Sequence, residues 1–169
     1  KREISIMYFK STDNTDGFFP LSENFHENGI LKKTIAPAIL NDAIKDELKL
    51  KTKKLSENLN FYGIIAIELF ELVDGRIIFN EIAPRPHNSF HWTLDGCENS
   101  QFDILIRTIC GLPVKDVKCN TKWEMKNIIG DDANNLNEIY SNQNYLLNLY
   151  GKKNIKAGRK MGHYNRQII

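Results

Sequence analysis

Two apolar runs separated by Asp74-Gly75 constrain the fold of this chain more than any other feature. Asp-Gly between strand-like runs predicts a β-hairpin with a two-residue turn, in which Val73 pairs with Arg76. Because residues pair one for one in a regular hairpin, this turn fixes the register of the whole hairpin. The register pairs Phe70 with Phe79, Leu72 with Ile77 and Glu68 with Glu81.

The two opposed glutamates predict a metal site. Directly opposed residues have Cβ atoms roughly 4.5–5.5 Å apart, and like charges at that distance are destabilising unless a carboxyl is protonated or a cation lies between them. Mg²⁺ prefers hard oxygen ligands and completes its octahedron with water and substrate phosphates. We therefore expect Glu68 and Glu81 to be magnesium ligands. The alternatives are a different register or carboxylates that point into water.

Polar residues cluster directly after the second strand. Arg85 lies on the side of Glu81 if the strand continues through Ala83, and its guanidinium suits a carboxylate or phosphate, although a salt bridge to Glu81 is the alternative. Asn80 faces the other side in a regular strand, so a shared role requires a bulge or strong twist. The loop 85–91 supplies further donors and acceptors, as a functional loop or an ordinary surface loop would.

A basic segment near the carboxyl end is a second candidate site. Arg159 and Lys160 lie between Gly158 and Gly162, and glycines allow backbone amides to approach a phosphate. A solvated basic turn explains the same pattern. His26, taken alone, fits an ordinary surface histidine.

The overall pattern predicts an α+β fold of antiparallel strands with packed helices. Strand-like runs cover residues 4–9 and 29–36. Asn41 begins a helix with an apolar stripe at Ile44, Leu48, Leu55 and Leu59, and Asn99 or Ser100 begins another with a stripe at Phe102, Leu105, Ile106 and Ile109. Beyond Pro113 come short strands at 126–129 and 145–150 around a brief helix near 133–140. We place a boundary there, between residues 1–112 and 113–169.

Composition excludes several classes of protein. The 169 residues are 41% hydrophobic, enough for a buried core, and the net charge of +2 is well mixed, so charge suggests neither nucleic acid nor membrane. Cys97, Cys110 and Cys119 show no CxxC spacing, which argues against a disulfide framework or zinc cluster and fits a reducing cytoplasm. The apolar runs are too short to span a bilayer.

Four separated motifs then identify a family. They are Asn80-Glu81-Ile82-Ala83-Pro84-Arg85-Pro86-His87-Asn88-Ser89, Ser100-Gln101-Phe102, Gly111-Leu112-Pro113 and Gly158-Arg159-Lys160-Met161-Gly162-His163. Together with Glu23-Asn24-Phe25-His26, they resemble the 5-(carboxyamino)imidazole ribonucleotide synthases of purine biosynthesis, which are ATP-grasp ligases. The resemblance implies a partial ATP-grasp domain over residues 1–112 and a small, mostly-β carboxyl-terminal subdomain over residues 113–169. It also implies a cytoplasmic homodimer for the full-length protein.

The resemblance assigns a reaction and residue roles. The family uses ATP to activate bicarbonate, as carboxyphosphate, and transfers the carboxyl group to the amine of 5-aminoimidazole ribonucleotide. By this resemblance Glu68 and Glu81 hold Mg²⁺, His26, Asn80 and Glu81 help bind ATP, and Arg85 stabilises the activated bicarbonate. Asn88, Ser89 and His91 line the ribonucleotide pocket, and Arg159 and Lys160 receive its phosphate.

The chain departs from the family pattern at one loop position and in length. Phe90 replaces a family glycine, and a bulky residue adopts positive φ only at a cost. The family's amino-terminal domain and the lid that grips ATP should precede Lys1, so we expect this polypeptide alone to be inactive. The alternatives are the sister formate-dependent glycinamide ribonucleotide formyltransferase, whose loop usually has aspartate and threonine at positions 88 and 89, and a non-catalytic interaction module.

Overall fold

The computed structural model describes residues 2–169, which form nine strands and four α-helices. The strands are β1 (Arg2–Lys10), β2 (Asp16–Phe18), β3 (Ser22–Glu27), β4 (Ile30–Ala36), β5 (Gly63–Glu71), β6 (Ile77–Ala83), β7 (Lys122–Ile129), β8 (Leu146–Leu149) and β9 (Lys160–Ile168). The helices are α1 (Asp42–Asn58), α2 (Thr93–Gly96), α3 (Gln101–Ile109) and α4 (Leu136–Ser141), with 3₁₀ turns at Asn88–Phe90 and Gly130–Asn135.

These strands join one antiparallel sheet. Its order is β6-β5-β1-β3-β4-β7-β9-β8, with β2 beside β1. The predicted α+β fold class is confirmed. The β4–β7 pairing joins strands from both sides of residue 113 into one sheet, and the division at that residue stays a prediction. Sequence reasoning missed β3 and the long β9, which begins at the basic segment.

Alternation along β5 sorts its residues between the two faces of the sheet. Ile65 and Ile67 belong to the core beneath α1, whereas Ile64 and Ala66 belong to the core that contains Ile104 of α3. Successive side chains of a strand point to opposite faces, so Glu68 continues the row of Ile64 and Ala66. The predicted metal ligand therefore lies on the α3 side of the sheet.

Helix α1 forms as the sequence predicts at its beginning. Asn41 is the N-cap, and its side chain accepts a hydrogen bond of 2.9 Å from the Ala43 N–H. Leu48 is buried, and Ile44 and Leu55 pack beside it against the sheet. Leu59 lies at the C-cap and is 57% exposed, so the predicted stripe ends one turn earlier.

Helix α3 begins at the predicted cap but buries a different stripe. The Ser100 and Asp103 side chains form a reciprocal capping box. The buried residues are Gln101, Ile104 and Thr108, at helical spacing. Of the predicted stripe only Leu105 packs against the core, whereas the side chains at positions 102, 106 and 109 are 37%, 53% and 59% exposed. Hydrogen bonds of Gln101, described below, orient the helix.

Among residues 2–169, no helix combines the length and the apolar character that crossing a membrane would require.

Candidate metal and anion site

The hairpin of β5 and β6 brings the two predicted carboxylates together. Glu68 and Glu81 are directly paired across the strands. β5 is an interior strand and β6 is the sheet edge, which explains why Glu68 is 9% exposed whereas the Glu81 side chain is 55% exposed. The opposed pair of glutamates is confirmed.

The register that led to this pair is only partly right. The Leu72 N–H donates to the Arg76 carbonyl at 2.9 Å, so the loop has three residues instead of two, with Gly75 at φ +83°. The predicted pairing of Val73 with Arg76 is therefore wrong. Near the turn the register shifts by one residue, and the predicted pairs Phe70–Phe79 and Leu72–Ile77 are wrong as well.

A β-bulge restores the predicted register before the glutamates. Glu81 pairs with Glu68 and Phe79 with Leu69, so Asn80 is the extra residue between them. A bulge re-aims side chains near a site, and this is the feature that a shared role for Asn80 requires. Asn80 is exposed on the edge strand, outside the group of residues that line the cavity described below.

His87, which the sequence offers as one of the polar residues of the loop, is a third candidate ligand. Its Nε2 atom lies 3.7 Å from Glu68 Oε1 and 3.8 Å from Glu81 Oε1, and one ligand atom from each of the three residues falls within a 4.8 Å group. Burial, followed by the charge of Arg85, lowers the His87 pKa to about 4. The imidazole is thus neutral at pH 7 and offers the carboxylates no balancing charge.

Burial and neighbouring negative charges both disfavour the charged form of Glu68. Burial is the largest cause that raises its pKa to about 7, and the charges of Glu81 and Glu3 raise it further, whereas Lys160 opposes them. A carboxyl with this pKa is half protonated near neutral pH. A bound cation would favour its charged form.

An open cavity of about 290 Å³ collects most of the predicted site residues. Its volume suits part of a small ligand. Six predicted residues reach it from four separated parts of the chain, and three others complete the lining. The lining residues are His26, Gly29, Leu31, Glu68, Glu81, Arg85, His87, Asn88 and Lys160.

Two cationic side chains face this cavity. The Arg85 guanidinium donates to the Pro86 carbonyl at 3.1 Å, and among residues 2–169 no carboxylate lies within ion-pair distance of it. Lys160 begins β9, and its burial lowers its pKa while Glu68 acts in the opposite direction. The alternative of an Arg85–Glu81 salt bridge does not occur, so both cations are available to an anion.

The loop that carries His87 and Asn88 is held by buried hydrogen bonds. The Gln101 side chain accepts from the His87 N–H at 2.8 Å and donates to the His87 carbonyl at 3.0 Å. Asn88 and Asn127 exchange two amide hydrogen bonds of 3.0 and 2.6 Å. Sequence reasoning missed both anchors, because a glutamine on a helix and an asparagine on a strand show nothing of their distant partners.

Phe90 fits this loop without glycine. It ends the 3₁₀ turn Asn88–Phe90, and its fully buried ring packs edge-on against Phe19 at 6.2 Å between centroids. The expected cost of a positive φ at this position therefore does not arise.

Besides Asn80, three predicted site residues lie outside the cavity. Ser89 is fully buried, with Oγ 2.8 Å from His87 Nδ1. His91 lies behind the loop, with Nδ1 2.8 Å from Gln101 Nε2, and burial lowers its pKa to about 3. Arg159 donates to the Asn154 carbonyl at 3.2 Å. Their roles in substrate binding stay predictions.

His26 reaches the cavity through a bulge of its own. The register of β3 against β4 shifts between Phe25 and His26. His26 Nδ1 lies 2.7 Å from a Glu3 carboxylate oxygen. An ordinary surface position, the simplest interpretation of the sequence around His26, is not what the fold provides.

The chain is similar to known proteins over nearly its whole length. The family model of the ATP-grasp domain matches residues 1–102. The family model of the phosphoribosylaminoimidazole carboxylase C-terminal domain matches residues 124–166. The chain is 38% identical to the N5-carboxyaminoimidazole ribonucleotide synthase of Brucella melitensis over 166 residues, which are 98% of this chain and 46% of that protein. For the Bacillus subtilis synthase the identity is 41%, with 96% of this chain and 43% of that protein covered.

Solved structures show the same likeness. An ADP complex of an N5-carboxyaminoimidazole ribonucleotide synthetase superimposes with a TM-score of 0.94 at 38% identity, over 99% of this chain and 45% of that one. The Aspergillus clavatus synthase in complex with ADP and 5-aminoimidazole ribonucleotide gives a TM-score of 0.89 at 34% identity, over 99% of this chain and 47% of that one. The chain thus spans less than half the length of these relatives.

Proposed function

Because the chain belongs to the ATP-grasp family, we propose that it forms the carboxyl-terminal part of an N5-carboxyaminoimidazole ribonucleotide synthase. The whole protein would be a ligase that carboxylates 5-aminoimidazole ribonucleotide with bicarbonate at the expense of ATP, a step of purine biosynthesis. The similarity to synthases over nearly the whole chain supports this choice over the sister formyltransferase. The loop supports it too, since positions 88 and 89 are asparagine and serine.

The observation that carries the proposal is the meeting of two carboxylates and two cations in one cavity. Glu68 and Glu81 would hold Mg²⁺, because they are hard oxygen donors on adjacent strands and their mutual repulsion needs a cation. The metal, when bound, would neutralise charge on the ATP phosphates. His87 is a poor ligand for Mg²⁺, which prefers oxygen, so we assign it to positioning the carboxylates and the substrate.

The remaining roles follow from charge and position. Arg85 would bind and orient the anionic bicarbonate and its phosphorylated form, a contribution of electrostatic preorganisation, whereas Lys160 would bind the ribonucleotide phosphate. His26 and Asn80 would contact the nucleotide. Asn88 would face the ribonucleotide with its amide oriented by Asn127. Arg159 would supplement Lys160 at the ribonucleotide phosphate.

Ser89 and His91 take an indirect role in this proposal. Both lie behind the cavity, where Ser89 holds the His87 ring and His91 bonds to Gln101. We propose that they position the loop for the ribonucleotide. For the whole protein we further propose a cytoplasmic homodimer, with residues 1–112 in the ATP-grasp domain and residues 113–169 in a carboxyl-terminal subdomain.

Calorimetry with Mg·ADP tests the proposal. We expect weak, magnesium-dependent binding of ADP to the chain and a clear loss of binding in Glu81→Gln, with Glu98→Gln as the exposed control. If ADP bound equally well without magnesium and to Glu81→Gln, the assignment of Glu81 as a magnesium ligand would be contradicted and a non-catalytic module would be favoured.

Turnover provides a second test. We expect ATP hydrolysis by the 169-residue chain to stay at background with bicarbonate and 5-aminoimidazole ribonucleotide, because the family's other ATP-binding elements are not within it. Hydrolysis that depends on both substrates would refute the expected inactivity of the isolated chain.

A further inference from the structure

Two of the three cysteines lie on neighbouring segments on the α3 side of the sheet. Cys97 is the C-cap of α2, and Cys119 lies three residues before β7. The Glu98 N–H donates to the Lys118 carbonyl at 3.2 Å. Gly96 also packs against Trp123, since a Cβ added to Gly96 would lie 2.9 Å from the indole. The two segments therefore run antiparallel, with Cys97 and Cys119 as the next pair beside Glu98 and Lys118.

The side chains of this pair meet. Both cysteines are partly buried against the same core cluster. The interaction of the two neighbouring thiols raises the pKa of Cys97 and lowers that of Cys119, and the Cys119 thiol also donates to the Thr121 carbonyl at 3.4 Å. Directly opposed residues of antiparallel segments have Cα atoms about 4.5–5.5 Å apart, within the range of about 4.4–6.8 Å that a disulfide requires.

We propose that Cys97 and Cys119 are a redox modification site, at which a low-molecular-weight disulfide such as oxidised glutathione generates an intramolecular disulfide bond. The site lies outside the cavity of the proposed ligase reaction and does not depend on that function. It is not a structural framework of the kind that the cysteine count argues against. A disulfide of this type in a reducing compartment is transient.

Oxidised glutathione converts the two thiols to a disulfide in two exchange steps. The Cys119 thiolate attacks one sulfur of oxidised glutathione, and the first glutathione leaves as a thiolate. The Cys97 thiol then loses its proton to solvent and attacks the Cys119 sulfur, which displaces the second glutathione. Two protein thiols lose two electrons and two protons, and one glutathione disulfide becomes two glutathione thiols. Cys119 is the attacking group because its pKa is the lower one.

The cross-link would join two functionally distinct segments. The helix α2 follows directly on the loop with His87 and Asn88, whereas Cys119 belongs to the connection between α3 and β7. Oxidation would fasten that connection to the end of the site loop. Because the bond closes a chain loop that is open in the reduced protein, it should raise the Tm by several degrees.

Mass spectrometry of the native chain in a glutathione redox buffer tests the proposal. After acid quenching, we expect an intact mass lower by two hydrogen atoms than that of the reduced chain. After alkylation and digestion, we expect a peptide cross-link between Cys97 and Cys119 and an alkylated Cys110. Cys110 lies at the exposed end of α3 and provides the matched control. Cys110→Ser should cross-link as the original chain does, whereas Cys97→Ser and Cys119→Ser should not.

The peptide map of the unsubstituted chain identifies the linked cysteines even if a variant folds poorly. The same chain oxidised in urea should give a mixture of pairings, and dithiothreitol should reverse the native product. Native thiols that stay free, that take up glutathione separately, or that pair with Cys110 would each overturn the proposal.

Discussion

Two glutamates of one sheet, Glu68 and Glu124, have nearly the same burial and opposite surroundings. They are 9% and 6% exposed. Glu124 pairs across the strands with Arg166, whose Nε lies 2.7 Å from its carboxylate. Glu68 pairs across the strands with Glu81, and the nearest ring nitrogen belongs to a histidine that its low pKa keeps neutral.

The difference is between a buried carboxylate with a cationic partner and one without. Buried charges are ordinarily paired, and Glu124 follows that rule. Glu68 departs from it at a cavity that also holds two cationic side chains. Perturbed, unpaired groups of this kind cluster at functional sites. The comparison therefore supports the proposal that Glu68 binds a cation.

The largest expected effect is on stability at alkaline pH. Glu68→Gln should raise the free energy of unfolding at pH 8, without divalent metal, by up to roughly 3 kcal/mol, since the Glu68 pKa rises to about 7 from an ordinary 4.5. Below pH 4.5 the carboxyl is protonated in both states and the gain vanishes. Between pH 4.5 and 7 the ionised Glu68 carboxylate destabilises the original chain more and more as the pH rises.

Urea unfolding of the original chain and Glu68→Gln across this pH range measures the effect. A stability difference that does not change with pH would contradict the proposed desolvation of Glu68.

A smaller effect of opposite sign is expected at the paired glutamate. Glu124→Gln should lower the free energy of unfolding at pH 7 by about 1–2 kcal/mol, because it removes a charge-assisted hydrogen bond. Arg166 is 35% exposed at its side chain and can regain water, which limits the loss. Glu98→Gln, an exposed control, should change stability by less than about 0.5 kcal/mol. If Glu124→Gln and Glu98→Gln changed the free energy of unfolding equally, the stabilising role of the Glu124–Arg166 pair would be contradicted.

The smallest effect concerns the charge across the hairpin. Glu81→Gln should lower the pKa of Glu68 by less than about one unit, because burial is a larger cause of the shift than Glu81. Carboxyl ¹³C NMR titration measures the midpoint directly. A midpoint that stays in place or moves upward would show that the two carboxylates do not interact.

The sequence predicted the central pair of this comparison by way of two errors that cancel. The loop that contains Asp74-Gly75 has one residue more than expected, which shifts the strand register by one. The bulge at Asn80 then restores the predicted register at the two glutamates. The Asp-Gly pair suits more than one loop length, and a bulge has no local sequence signature, so only the tertiary structure distinguishes them.

Helix α3 shows a second limit of sequence reasoning. The apolar stripe with Ile106 and the mixed stripe with Gln101 and Ile104 share one helix, and periodicity favoured the more apolar one. Gln101 is buried because it bonds to His87, a residue that sequence patterns do not connect to it. Likewise, Lys160 meets Glu68 only because β9 joins the sheet. Local patterns thus predicted most elements and the carboxylates, but not the partners that hold the site.

Manganese binding tests the central claim most directly, since Mn²⁺ reports its own coordination by electron paramagnetic resonance and takes the oxygen ligands that Mg²⁺ takes. At pH 8, we predict that the chain binds Mn²⁺, that Mg²⁺ competes for the site, and that Glu68→Gln weakens binding at least about tenfold while Glu124→Gln does not. Binding that survives unchanged in Glu68→Gln would contradict the account.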